Sequence, residues 1–160
     1  MYKIREVSRA DNEAVYGLIC ALAEYENMRE QITGTPEELE DLLFDSGVGH
    51  CLVAEDNGEI IGFALWFYNL STFKCRKGIY LEDLFVIPER RGEGIGKALL
   101  KAVCRLAREQ GGGRLEWACL DWNTPSIGFY RALGAVPMDE WTTYRLTGDG
   151  LTALADEAHA

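Results

Sequence analysis

Between Arg90 and Leu99 the chain reads RRGEGIGKAL, with glycine at positions 92, 94 and 96 and a lysine at 97. Alternate residues without side chains let a ligand come up against the backbone. Free N–H groups at the start of a helix attract phosphate through their partial charge. Arg90, Arg91 and Lys97 add positive charge. Two familiar phosphate loops do not fit. A dinucleotide fingerprint needs Gly-x-Gly-x-x-Gly, and its third glycine would fall on Lys97. A P-loop needs glycine at 91 and serine or threonine at 98, where Arg91 and Ala98 stand. What remains is a strand, a glycine loop and a helix start that can hold a pyrophosphate. The plainer alternative is a glycine-rich turn with solvated basic residues.

Glu82 and Asp83 form a second constellation. They interrupt an apolar strand, Ile79-Tyr80-Leu81 before them and Leu84-Phe85-Val86-Ile87 after. Burying an unpaired carboxylate is costly, so each needs a partner or a cleft. Neighbours on a strand point to opposite faces, which predicts different jobs for the two. In a functional reading Glu82 accepts a proton from a substrate through water, helped by a raised pKa. Otherwise one is solvated and the other pairs with a strand neighbour.

The elements that must position these groups can be read from pattern. YKIREV alternates as a first strand, and Asp11 can cap a helix with Val15, Leu18, Ile19, Leu22 and Ala23 on one face. Thr35-Pro36-Glu37-Glu38 is a capping box that opens a second, short helix. CLVAED and EIIGFALWFYNL are strands joined by Asn57-Gly58, a type I′ hairpin signal. GIYLEDLFVI is a further strand. The glycine loop then leads into a helix with Ile95, Leu99, Ala102, Val103 and Leu106 on one face, stopped by Gly111-Gly112-Gly113. RLEWACL reads as a strand, Thr124-Pro125 opens a helix ending at Gly134, EWTTYRL reads as a last strand, and a short helix can follow Gly150. The order predicts an α/β fold with a mixed, mostly antiparallel sheet and helices on both faces, in one domain over residues 1–160.

Bulk composition narrows the function. Sixteen Lys and Arg against 26 Asp and Glu give a net charge of −10. Such a surface repels nucleic acid and anionic membranes and attracts cations such as amines; the plainer alternative is acidity that serves solubility alone. The five cysteines, Cys20, Cys51, Cys75, Cys104 and Cys119, show no Cys-x-x-Cys spacing, and His50 and His159 stand far apart. A zinc site or a disulfide scaffold is not expected. With no signal-type apolar run and no membrane-spanning stretch, a soluble, cytoplasmic protein in a reducing compartment is expected.

Arg91-Gly92-Glu93-Gly94-Ile95-Gly96 fits Arg/Gln-x-x-Gly-x-Gly/Ala, which resembles the acetyl-CoA pyrophosphate motif of the GNAT N-acetyltransferases. NTPSIGFYRALGA is similar to that family's second cofactor motif. AEYENMREQI, CLVAE, YLEDLFV and WNTPSIGFY most resemble the diamine and thialysine acetyltransferases. The likeness covers most of the chain through about Gly134.

The resemblance implies a GNAT fold in which YLEDLFV and RLEWACL splay apart to admit the pantetheine arm of acetyl-CoA. Backbone groups of Leu84, Phe85 and Val86 would pair with pantetheine amides. Amides from Arg91 through Gly92, Glu93, Gly94, Ile95, Gly96 and Lys97 would take the pyrophosphate, and Asn123, Pro125 and Ser126 would line the other wall. Tyr130 would protonate the departing thiolate and also border the cofactor. A phenol near pKa ~10 and a thiol near ~8.5 make that transfer nearly balanced. Without the motif, Tyr130 reads as a core aromatic of an amphipathic helix. Glu82 would be the base, and Asp83 would hold the acceptor's cationic end. Tyr25, Glu26 and Glu30 would form an acidic, aromatic lid suited to an ammonium ion, or else an ordinary helix end. Asn27 and Arg29 stand where the polyamine enzymes tend to carry tyrosine and an acid, which argues against a long polycation. Glu116, Trp117 and Trp141 are further acceptor-side candidates, with Trp117 and Trp141 equally readable as core or dimer-interface residues, and Arg29 is a candidate for an acceptor carboxylate.

The expected reaction is direct acetyl transfer from acetyl-CoA to a primary amine of a small cationic acceptor, in a homodimer, with no metal. Two alternatives are a protein N-acetyltransferase and an acetyl-CoA-binding module without turnover.

Overall fold

Asn57 and Gly58, at φ 51° and 82°, turn strand β2 (His50–Asp56) back into β3 (Glu59–Ser71). Two positive φ values in succession are what a type I′ hairpin requires. β4 (Arg76–Val86) continues antiparallel to β3, and β1 (Lys3–Glu6) pairs antiparallel with β2 on the far side. β5 (Leu115–Glu116) adds parallel to β4, giving a mixed sheet in the order β1-β2-β3-β4-β5. The structure is a computed structural model that describes residues 1–158. It divides into two compact units, one from Met1 to Ala118 and one from Cys119 onward.

In the first unit both faces of the sheet are covered. Helix α1 (Asn12–Tyr25) lays Val15 and Leu18 on Val53, Ile60, Phe63 and Phe85. Leu39 and Leu43 extend this core from α2 (Pro36–Glu40) and the π turn after it. Thr35 Oγ1 accepts from the Glu38 amide at 3.2 Å, and Glu38 Oε2 accepts from the Thr35 amide at 2.8 Å, so the expected capping box is formed. The other face belongs to α3 (Ile95–Glu109), which buries Ile95, Leu99, Leu100 and Val103. Gly62 lets it in: a Cβ there would lie 2.9 Å from the Phe85 carbonyl and 3.5 Å from Leu99.

Asp11 stands at the head of α1, but its side chain does not cap that helix. Instead it accepts from the Ser8 amide at 2.7 Å and from Arg5 at 2.7 and 2.9 Å. Arg5 also reaches Glu55 at 2.6 Å, tying β1 to β2.

The second unit holds α4 (Thr124–Ala132) and α5 (Gly148–Ala155), the latter starting two residues before the expected point. No strand forms over the EWTTYRL segment, and RLEWACL shrinks to Leu115–Glu116. Alternating residues form a strand only where another strand pairs with them; the β4 pairing ends at Glu116, and among the described residues no strand pairs with residues 140–146. His159 lies outside the described residues.

Candidate active site

The glycine loop is built as its composition demands. Gly92 and Gly94 sit at φ 83° and 80°, the left-handed region that a side chain disfavours. A Cβ at either would meet nothing within 4 Å, so the backbone there is open to a visitor. Gly94 is the N-cap of α3, and the Ala98 amide makes the first helical bond, to the Gly94 carbonyl at 3.0 Å. Among the described residues, the amides from Gly92 to Lys97 have no protein acceptor. They form a cluster of N–H groups at the positive end of a 15-residue helix.

The flanking charges divide. Arg90 is drawn away into ion pairs with Asp56 at 2.9 Å and Glu93 at 2.7 Å. Arg91 turns the other way: its Nε donates to the Val86 carbonyl at 3.1 Å, and its guanidinium lies over Phe85 and Tyr25. Lys97 is exposed. The expectation that all three basic residues add charge to the loop therefore fails for Arg90, which its two carboxylates neutralise.

Glu82 and Asp83 lie at an irregularity. Leu65 pairs with Asp83 and Trp66 with Leu81, which leaves Glu82 as the extra residue of a β-bulge. Cross-strand partners share a face. Leu65 packs with the α1 core, so Asp83 lies on that face, while Trp66 and Leu81 take the α3 face. In an unbroken strand Leu81 and Asp83, two apart, would share a face. The bulge separates them and leaves Glu82 exposed. Simple alternation along the sequence does not predict it, because a bulge depends on the partner strand.

Burial, then the negative charges of Glu82 and Glu26, push the Asp83 carboxyl up to about 7. Burial also raises Glu26, the residue that closes α1. Among the described residues no cation forms an ion pair with Glu26, Glu82 or Asp83. Tyr25, the last residue of α1, sits beside this group and is 37% exposed. Arg29 is exposed and 3.7 Å from Glu24. Cys51, on the same face, is a buried thiol pushed far up by desolvation, and so a packing residue.

Beyond the bulge β4 loses its outer neighbour. Its pairing with β5 is confined to Ile79–Leu115 and Tyr80–Glu116. From Leu81 to Val86 no second strand lies alongside among the described residues, so the backbone at Leu84, Phe85 and Val86 has an edge without a strand. Glu116 is fixed by Arg114 at 3.0 Å and the Asn69 amide at 3.2 Å, which makes it an anchor of β5 rather than an acceptor-side group.

In the second unit Asn123 is the N-cap of α4, and its Oδ1 accepts from the Ser126 amide at 3.4 Å. Pro125 fills the first turn, where its missing N–H costs nothing. Tyr130 is half-buried and its ring stands 5.4 Å from that of Phe129. Trp141 is 81% exposed. Among the described residues no group of three or more His, Cys, Asp or Glu could hold a metal, and no helix is long and apolar enough to cross a membrane.

Both the sequence and the fold that carry these groups have relatives among known proteins. The chain is 38% identical over 164 residues to a thialysine N-epsilon-acetyltransferase of Bos taurus, covering 95% of this chain and 96% of that one. It is 44% identical over 95 residues to an L-ornithine N5-acetyltransferase of Arabidopsis thaliana, covering 59% and 42%. Among solved structures, an integron cassette protein from the mobile metagenome of V. cholerae superposes with a TM-score of 0.83 at 25% identity over 98% of both chains. The sequence profile of the Acetyltransferase (GNAT) family matches residues 15–135, a span that contains the bulge, the glycine loop and α4. The chain belongs to the GNAT acetyltransferase family, whose members take their acetyl group from acetyl-CoA.

Proposed function

We propose that the protein transfers the acetyl group of acetyl-CoA to a primary amine of a small cationic acceptor: a diamine, a polyamine or a lysine-like amino acid. The observation that carries this reading is the trio Glu26, Glu82 and Asp83, gathered at the β4 bulge without a cation of the protein's own among the described residues. An ammonium ion is the ligand that relieves their mutual repulsion. The names of the thialysine and ornithine acetyltransferases that the chain is similar to agree with a small amine acceptor.

In this reading the amides from Gly92 to Lys97 hold the pyrophosphate. The free edge of β4 at Leu84, Phe85 and Val86 pairs with the pantetheine amides. Asn123, Pro125 and Ser126 support the cofactor from the second cofactor motif. Tyr25, Glu26 and Asp83 bind the acceptor's positive charge. Glu82, exposed at the bulge, takes the proton that an ammonium of pKa ~10.4 must lose before it can attack. The neutral nitrogen then attacks the thioester carbonyl, with a backbone N–H near Leu84 stabilising the oxyanion. The intermediate gives its second nitrogen proton to water and collapses to amide and thiolate; Tyr130 protonates the sulfur and regains its own proton from water. No acetyl-enzyme is required. The family match runs through both compact units, which supports one working domain over residues 1–160. We assign the enzyme to the cytoplasm as a homodimer, and its acidity argues against nucleic acid or membrane partners.

The test is CoA release from acetyl-CoA against putrescine, spermidine, spermine, lysine, ornithine, thialysine and a lysine-containing peptide. Turnover on one class of free amine is expected. Tyr130→Phe and Glu82→Gln should each lower kcat by about a hundredfold. Turnover on the peptide alone would overturn the small-molecule reading. A kcat unchanged in Tyr130→Phe would remove Tyr130 from the mechanism.

A further inference from the structure

The phosphate loop has few ties to the rest of the fold. From the end of the short 3-10 turn Pro88–Arg90 to the first buried residue of α3, Ile95, the side chains seen to anchor the loop among the described residues are Arg90, its partner Glu93, and Arg91. Arg90 moors one side of the loop to Asp56 at the end of β2. Arg91 moors the other side at three points. Its Nε donates to the Val86 carbonyl at 3.1 Å, and its guanidinium carbon lies 5.3 Å from the Phe85 ring centre and 4.8 Å from that of Tyr25. Phe85 is 5% exposed and belongs to the α1 core, so it is a fixed support. Tyr25 belongs to a different part of the site. It ends α1, precedes Glu26, and is followed by Asn27 in the left-handed region at φ 57°. The side chain that opens the phosphate loop thus rests on the helix end that carries the acceptor-side carboxylate.

We infer that Arg91 is a positioning residue that braces the phosphate loop against Tyr25 and the Val86 carbonyl, so that the acceptor end of α1 and the acetyl-CoA loop hold each other in place. The inference rests on the reading of Gly92–Lys97 as the acetyl-CoA loop. A planar guanidinium stacks on a ring and donates along its edge together, which a lysine ammonium cannot reproduce. Ordering the loop beforehand lowers the entropic cost of binding the cofactor. Tyr25 therefore supports acetyl-CoA binding through Arg91. Reciprocally, bound acetyl-CoA fixes the helix end that meets the amine, so the two ligands bind with positive coupling.

The test is calorimetric titration of acetyl-CoA into the protein, without any amine, over a range of salt concentrations. Thermal melting of each variant checks that it is folded. Tyr25→Leu and Arg91→Lys should each weaken acetyl-CoA binding by about threefold to tenfold. Tyr25→Phe, which keeps the ring, should stay within about twofold. The double variant Tyr25→Leu/Arg91→Met should bind no more weakly than Arg91→Met alone, and Arg91→Met should keep the salt dependence of the unaltered chain. The brace is overturned if Tyr25→Leu binds as the unaltered protein does. It is also overturned if Arg91→Lys binds normally while Arg91→Met shows a shallower salt dependence, because Arg91 would then act as a charge on phosphate. An unaltered chain that binds no acetyl-CoA overturns the cofactor reading itself, a result distinct from either of these.

Discussion

Asp83 is costly to the fold at neutral pH. Its carboxyl is pushed up to about 7 by burial and by Glu82 and Glu26, whereas an unfolded aspartate titrates near 3.9. Between those values the native chain keeps a proton that the unfolded chain has released, so this group lowers stability as pH rises through the window. Above about pH 7 the full penalty is present. Asp83→Asn removes the ionising group while keeping its shape. It should stabilise the protein at pH 8 by roughly 1–3 kcal/mol, a range discounted for the partial exposure of the site. The advantage should shrink towards pH 5. Melting temperatures of both proteins at the two pH values check this, and an equal gap at both would show that Asp83 does not ionise in between. A cationic acceptor binds the ionised form better, so the same substitution should raise KM for the amine. In the proposed function Asp83 would thus weaken the fold where it strengthens binding, the trade expected of a residue that serves a ligand. The presence of two acids inside an apolar strand could be read from sequence alone. Which of them would be buried could not, because that depends on the bulge.

Strands and helices here obey local rules until tertiary pairing intervenes. The capping box at Thr35, the Asn57-Gly58 turn and the apolar stripe of α3 all formed from signals within a few residues. The bulge at Glu82, the two-residue length of β5 and the unpaired EWTTYRL segment depend on partners distant in sequence, which no local pattern reports. The same distinction separates two glycines. At Gly62 a Cβ would stand 2.9 Å from the Phe85 carbonyl, so Gly62→Ala must push β3 and β4 apart and should cost roughly 1–3 kcal/mol. At Gly94 a Cβ meets nothing, and only the φ of 80° resists it, at roughly 1 kcal/mol. Yet Gly94 lies among the amides assigned to pyrophosphate, where an added methyl would face the ligand. Urea unfolding should therefore rank Gly62→Ala as the more destabilised, and acetyl-CoA titration should rank Gly94→Ala as the weaker binder. A Gly94→Ala variant that binds normally would mean that the loop does not approach the cofactor.

The distribution of apolar surface over the chain is uneven. Residues of the first unit build two continuous cores, whereas Val136, Met138, Trp141, Tyr144, Leu146 and Leu154 are each more than half exposed. These exposed apolar residues are the candidates for the contact of the homodimer proposed above. Trp141 and Tyr144 are of the types enriched where proteins meet. Charge sharpens the choice of partner. At −10 overall the chain repels its own copies at long range, so self-association needs an apolar contact strong enough to overcome that repulsion, and added salt should favour it. In the proposed homodimer these residues would make that contact. Sedimentation at micromolar concentration should give twice the monomer mass, with the dimer favoured as salt rises from low to moderate concentration. Trp141→Glu, which adds a charge at an already exposed position, should yield monomers without lowering the melting temperature of the monomeric form. Monomers from the unaltered chain at all salt concentrations would overturn the dimer and leave this surface to a partner of another kind.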